Sequence, residues 1–246
     1  MLRLLLLISL FTTFPLLADE KALIAIYTYH LKPPLITDVN TKKGLYFDFT
    51  NRLNSLSEKY QFETIFVPRK RIDRMLENNN LDGILLGVNP LWFNDTDETK
   101  FLWTSRIFTD RDEVISLASH AIEYSDKNAL KGKVFGGVRG FYYYGINELV
   151  SKNEITRVDT VREEDLFTML LNHRINSAIV SRSTFDFLVK YNNWQGKFYL
   201  SKKPHDIFDR RILVPKANAE LYQHIEPLIE TLQFDKSWQA LIAQYK

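Results

Sequence analysis

Apolar positions along the chain form short continuous runs, separated by stretches in which they recur every three or four residues. Leu23-Ile24-Ala25-Ile26-Tyr27 reads as a compact strand, closed by Pro33-Pro34, which cannot continue a ladder. After Gly44, the side chains Phe49, Leu53, Leu56 and Tyr60 fall on one helical face. Phe62 to Val67 alternates as a strand does and is stopped by Pro68; Ile72, Met75 and Leu76 then mark a second helix. Ile84-Leu85-Leu86-Gly87-Val88 is apolar throughout, as expected of a strand buried on both faces of a parallel sheet.

A second set of units follows. Glu113 to Ala118 and Lys133 to Val138 read as strands, and Gly140 opens a loop and helix carrying Tyr142, Tyr143 and Tyr144. Glu163 to His173 reads as a helix, Ala178 to Val180 as a strand, Thr184 to Tyr191 as a helix, and Ile212 to Val214 as a strand ended by Pro215. Two amphipathic helices close the chain, one through Leu221, Ile225, Leu228 and Leu232, the other carrying Trp238, Leu241, Ile242 and Tyr245. Alternating strands and helices predict parallel sheets covered on both faces, and two sets predict two sheets. A ligand is then expected at the carboxyl ends of the strands, in a crevice between lobes.

The N-terminus adds a destination. Arg3 precedes an apolar stretch from Leu4 to Leu17, and Ala18 stands before the polar Asp19-Glu20-Lys21. Charge, short apolar run and small residue describe a secretory signal peptide over 1–18. The stretch is shorter than the ~20 residues that span a bilayer. The 246 residues are 45% hydrophobic and 25% charged, enough for a sizeable core, and contain no cysteine. That absence excludes a disulfide framework, a thiolate metal site, a cysteine nucleophile and the lipid-bearing cysteine of a lipoprotein. A net charge of +2 without runs of one sign gives no nucleic-acid footprint.

Several short motifs point further when taken in order. Gly44-Leu45-Tyr46-Phe47-Asp48-Phe49 precedes a hydrophobic helix, and Leu81-Asp82-Gly83 precedes the apolar run to Gly87. Leu130-Lys131-Gly132-Lys133-Val134 leads to a strand and the Gly140 turn, and Lys236-Ser237-Trp238 opens the last helix. In this order the chain, from Leu23 to Tyr245, resembles the bacterial extracellular solute-binding proteins of family 3, which include the polar-amino-acid binders. The resemblance implies an α/β, two-lobed type II periplasmic-binding-protein fold, each lobe a mostly parallel sheet flanked by helices. It implies a discontinuous first lobe (19–107 and 209–246) and a second lobe (108–208), joined by hinge strands near Phe108–Asp112 and Pro204–Phe208. It further implies a periplasmic monomer that hands a small-molecule ligand to an ABC permease or a membrane sensor, without a cofactor. A dehydratase of the cyclohexadienyl type is the enzymatic alternative on the same fold, with Glu148 and Glu154 as the acids it would draw on.

The usual anchors of that family are displaced here. The arginine expected after the Ile84–Val88 strand is missing from Asn89-Pro90-Leu91-Trp92-Phe93, and the position expected to hold an aspartate after Ala178–Val180 reads as Arg182. A guanidinium repels an ammonium group, so a small polar or anionic ligand is expected. The ligand-binding candidates are Tyr29 and His30 at a strand end, Arg71 among the basic residues of a helix start, Asn89 and Trp92 after the Ile84–Val88 strand, Arg139 and Tyr142 in the glycine-rich turn, and Arg182. Free N–H groups in that turn would favour an anion. His30 has no second ligand at metal spacing, Trp103 and Tyr144 are assigned to packing, and Asp95, Asp97 and Glu98 to a solvated loop. The hinge residues Asp206, Asp209, Arg210 and Arg211 are assigned to charge pairing.

Overall fold

The structure, a computed structural model, describes residues 21–245, so the predicted leader lies outside the described residues. The chain runs β1 (Ala22–Thr28), α1 (Leu45–Leu56), β2 (Tyr60–Phe66), α2 (Arg69–Glu77), β3 (Ile84–Val88), β4 (Leu102–Trp103) and β5 (Phe108–Leu117). It continues as β6 (Val134–Val138), α3 (Ile146–Ser151), β7 (Thr156–Thr160), α4 (Glu163–Leu171), β8 (Ser177–Ser181) and α5 (Arg182–Tyr191). The last elements are β9 (Phe198–Leu200), β10 (Asp206–Val214), α6 (Ala219–Leu232) and α7 (Lys236–Gln244). No helix among the described residues is long and apolar enough to cross a membrane.

Strand order is β2-β1-β3-β10-β5-β8-β6-β7. The two halves repeat one plan. In the first, β2, β1 and β3 are parallel and β10 joins them antiparallel. In the second, β7, β6 and β8 are parallel and β5 joins them antiparallel. The halves meet where β5 and β10 pair from Phe108↔Arg210 to Asp112↔Asp206. A parallel sheet needs cover on both faces, and each half has it. One face of the first sheet holds Ile26, Phe49, Ile84, Ile225 and Trp238, and the other holds Tyr29, Ile72, Leu85 and Trp103. The second sheet is covered by a cluster around Leu166, Phe167 and Val180 on one side and one around Phe135, Tyr143 and Ile146 on the other.

Three expectations change. The expected hinge segment Phe108–Asp112 and the strand expected from Glu113 form one continuous strand to Leu117, in which Asp110 and Glu113 are buried with charged partners. Tyr142 to Tyr144 lie in a turn, and the helix starts only at Ile146. Asp95 is buried, not solvated: its carboxylate accepts from the N–H groups of Thr99, Lys100 and Phe101 and from the Trp103 indole, 2.7 Å away. Burial pushes its pKa up, yet these bonds outweigh burial and hold it below the ordinary value.

Trp238 is 1% exposed and packs edge-on to Phe49. Its indole N–H has no partner among the described residues. Trp238→Ala should cost about 3–5 kcal/mol in urea unfolding. Trp238→Phe gives up no hydrogen bond and should cost clearly less. Equal losses for the two variants would contradict this packing.

Candidate functional site

The carboxyl ends of the strands converge on a seam between the halves. From the first half come Tyr29 and His30 at the end of β1, Lys32 just beyond, Arg69 at the start of α2, and Trp92 in a short 3-10 turn. From the second come Phe141 and Tyr143 in the turn after β6, and Glu163 at the start of α4. Asp112 and Arg210 enter from the crossing strands. The inner cavity has a volume of about 40 Å³. It shares Arg69, Trp92, Asp112, Tyr142 and Tyr143 with an open groove of about 1080 Å³ that leads outward past Lys70, Phe93, Phe101 and His205.

Aromatic rings join the two halves across this seam. Phe141 lies edge-on to Tyr29 at 5.7 Å and to His30 at 6.3 Å, and Trp92 is edge-on to Phe208 at 4.7 Å. His30 is 2% exposed. Burial, with Arg210, Lys32 and Arg69 nearby, drives its pKa well below the ordinary value, so it is a neutral imidazole at pH 7. Tyr29 accepts from Arg69 Nη1 at 3.1 Å, and burial keeps its hydroxyl protonated.

Each cation at the seam already has its carboxylate. Arg210 is fully buried and donates through Nε to Asp110 at 2.9 Å and through Nη1 to the Gly87 carbonyl at 2.9 Å. Gly87 is required there: its φ is +79°, and a Cβ would stand 1.8 Å from the Tyr46 hydroxyl. Arg69 donates to Asp73 at 2.6 Å and to the Trp92 carbonyl at 2.9 Å. Lys32 meets Glu163 at 2.6 Å. Asp112 is the exception. Among the described residues its side chain makes no hydrogen bond or ion pair, although it faces both cavity and groove. Burial, reinforced by Glu163 and Asp110 against Lys32 and Arg210, pushes its pKa up to about 7.

The predicted residues divide. Tyr29, His30, Trp92 and Tyr142 line the cavity. Asn89 sits behind it, buried, its side-chain oxygen accepting from the Trp92 N–H at 3.3 Å to cap the 3-10 turn. Arg71 is exposed on the outer side of α2, since two residues rotate a helix by about 200° from cleft-facing Arg69. Arg139 is exposed and lines neither cavity nor groove. Arg182 points to the far face of β5, reaching Asp186 at 2.7 Å and Glu113 at 3.5 Å, because Asp112 and Glu113 alternate across the sheet. At the end of β8 the charge on the seam side is Glu163, which accepts from the Ser181 N–H at 2.9 Å.

Four N–H groups in and beside the glycine turn are already taken. Arg139 N–H donates to Thr160, Phe141 N–H to Val138, Val138 N–H to the Tyr143 hydroxyl and Tyr143 N–H to Asn147. Arg157 fills the turn's interior, donating to the Val138 and Phe141 carbonyls. Glu148 and Glu154 lie outside the seam, paired with Lys127 and Lys131. No group of three or more His, Asp or Glu side chains suited to a metal occurs among the described residues.

Comparison with solved structures is consistent with this architecture. An ancestral arginine-binding protein bound to arginine superposes with a TM-score of 0.72 at 15% identity, covering 92% of this chain and 98% of that one. The GluR0 ligand-binding core from Nostoc punctiforme, in complex with L-glutamate, gives 0.72 at 14% identity, with 90% and 98% covered. The fold is that of the two-lobed type II periplasmic binding proteins. An ancestral amino-acid-binding protein, described as a precursor of cyclohexadienyl dehydratase, also matches, with a TM-score of 0.69, 12% identity, and 91% and 95% covered. No protein-family model matches the chain, and no curated protein does.

With a folded pKa near 7 against an unfolded value near 4, Asp112 binds more protons folded than unfolded between those limits. Its penalty on stability is absent below about pH 4, grows up to pH 7 and is constant above. Asp112→Asn should therefore raise the urea midpoint at pH 8 and leave it nearly unchanged at pH 4. A variant equally destabilised at both pH values would show that the carboxyl is not held in this environment.

Proposed function

We propose that the protein is an exported solute-binding protein that captures a small polar molecule at the seam and closes upon it. The observation that carries this reading is Asp112, a half-buried carboxyl without a partner, set between aromatic walls where two lobes are joined by two strands. In this reading the divisions at Phe108–Asp112 and Pro204–Phe208 act as hinges: a few backbone torsions change and the two cores rotate as rigid bodies. A ligand that touches both lobes stabilises the closed form by its differential affinity. The closed form then presents a distinct surface to an ABC permease or a membrane sensor. The three neighbouring structures, two described as amino-acid-binding proteins and one holding glutamate, support a ligand of this size.

The chemistry of the seam favours a ligand with a cationic or strongly donating group. Lys32, Arg69 and Arg210 are each neutralised, so the charge left over is negative. Trp92, Tyr29 and Phe141 offer faces and edges on which a cation or an aromatic ring can rest. This keeps the expectation of a small polar ligand and departs from the anionic option, which rested on Arg182 and the glycine-rich turn.

A lyase reading draws on the same carboxyl. A group titrating near 7 can both give and take a proton at neutral pH, which is what a general acid needs in an elimination. Turnover of prephenate or arogenate would select this reading over capture.

The test is mass spectrometry of small molecules released from gently purified protein, followed by calorimetry with the compound found. Asp112→Asn should weaken its binding by about 30-fold or more, as loss of a buried charged partner costs at least 2 kcal/mol. For a cationic ligand, wild-type affinity should rise as pH passes 7 and the variant should lose that dependence. An unchanged Kd in the variant would remove the seam as the binding site.

A further inference from the structure

One of the side chains that border the inner cavity, Lys32, pairs there with a carboxylate of the opposite lobe. Lys32 follows β1 and its loop is fixed to the first lobe: Ile36 N–H donates to the Lys32 carbonyl at 2.9 Å, and Leu35 and Ile36 are buried in the core. Glu163 belongs to the second lobe, where one carboxylate oxygen accepts from the Ser181 N–H at 2.9 Å and its hydroxyl at 3.3 Å. The other oxygen receives the Lys32 ammonium at 2.6 Å. The side chains are 6% and 4% exposed, and 131 residues separate them. Among the described residues, this is the one ion pair that joins the lobes away from the crossing strands.

We propose that Lys32 is a tethered internal ligand: its ammonium fills a carboxylate site on the second lobe and latches the lobes shut without any solute. Glu163 is positioned by Ser181 independently of the lysine, so the site exists before Lys32 enters it. A buried carboxylate stripped of its partner is strongly disfavoured. In a single rigid core that cost would appear as lost stability. In a hinged protein it is relieved by opening, which returns Glu163 to water. A cavity of about 40 Å³ admits little more than water, so an organic solute enters only after the latch parts. The latch therefore lowers the fraction of binding-competent protein and, with it, apparent affinity by the same factor. It also makes Glu163 a selective site for primary ammonium groups on a flexible stem.

Small-angle scattering of the mature chain without solute tests this directly, and its outcome does not depend on the ligand reading above. Lys32→Ala should raise the radius of gyration, and n-butylammonium, which brings back the lost charge on an alkyl stem one methylene longer than the deleted one, should return it to the wild-type value. Butanol should not, and neither compound should alter wild-type protein. Glu163→Gln keeps an oxygen for Ser181 while removing the charge; it should expand likewise and ignore n-butylammonium, so it reads the latch even if Lys32→Ala does not fold. A compact Lys32→Ala protein, or a compact Glu163→Gln protein, would overturn the proposal, as would an expanded Lys32→Ala that n-butylammonium leaves open.

Discussion

The buried pair of Arg210 and Asp110, at the point where β10 crosses β5, is the constraint from which the rest of the molecule follows. A guanidinium with no exposure is tolerable only when its donors are matched, and here Asp110, the Gly87 carbonyl and the rings of Phe208 and Trp92 surround it. The pair fixes the register of the two strands that connect the lobes. It also decides what is left over. Asp110 and Asp112 project from the same face of β5, so one acid neutralises the arginine and the next, two residues along, reaches the seam unpaired.

The seam is thus built from competing charges rather than from an apolar pocket. Removing Arg210 would leave Asp110 without its partner and shift both acids upward, since each disfavours ionisation of the other. Lys32 and Glu163 add a second, movable pair beside the fixed one. The first pair lies where the strands cross, and under the latch proposal the second holds the lobes together. Binding in such a site is an exchange of partners, in which a solute must offer Asp112 or Glu163 something better than water and better than Lys32. Aromatic contacts between Phe141, Tyr29 and His30 supply shape without fixing a direction of charge.

Much of the fold is legible in the chain because hydrophobic periodicity reports burial, and Ile84–Val88 is recovered residue for residue. Hydrophobic periodicity does not reach the charged ends of the crossing strands, which only the family resemblance indicates. Asp110-Arg111-Asp112-Glu113 carries no apolar signal, although Asp110 and Glu113 are buried, because what stabilises them is a partner distant in sequence. The polar edge strand Thr156–Thr160 escapes for a similar reason: it borders the sheet and buries little. In the site, residues chosen for their place at strand ends, such as Tyr29, His30 and Trp92, reach the cavity. Those chosen for charge alone do not. Arg71, Arg139 and Arg182 each lie close in sequence to a seam residue, but facing is set by helix rotation and strand alternation. Alternation along β5 was the available signal for Asp112, since it separates Asp110 and Asp112 from Arg111 and Glu113. Lys32 and Glu163 had none, because their contact joins a loop and a helix start that only the fold brings together.

The most direct examination of the account is a crystal structure of the protein with the small molecule it retains on purification. A donor or cationic group of that molecule should lie within hydrogen-bond distance of the Asp112 carboxylate, flanked by Trp92 and Tyr29, with contacts to both lobes. Density confined to the outer groove, or to one lobe with Asp112 untouched, would contradict it.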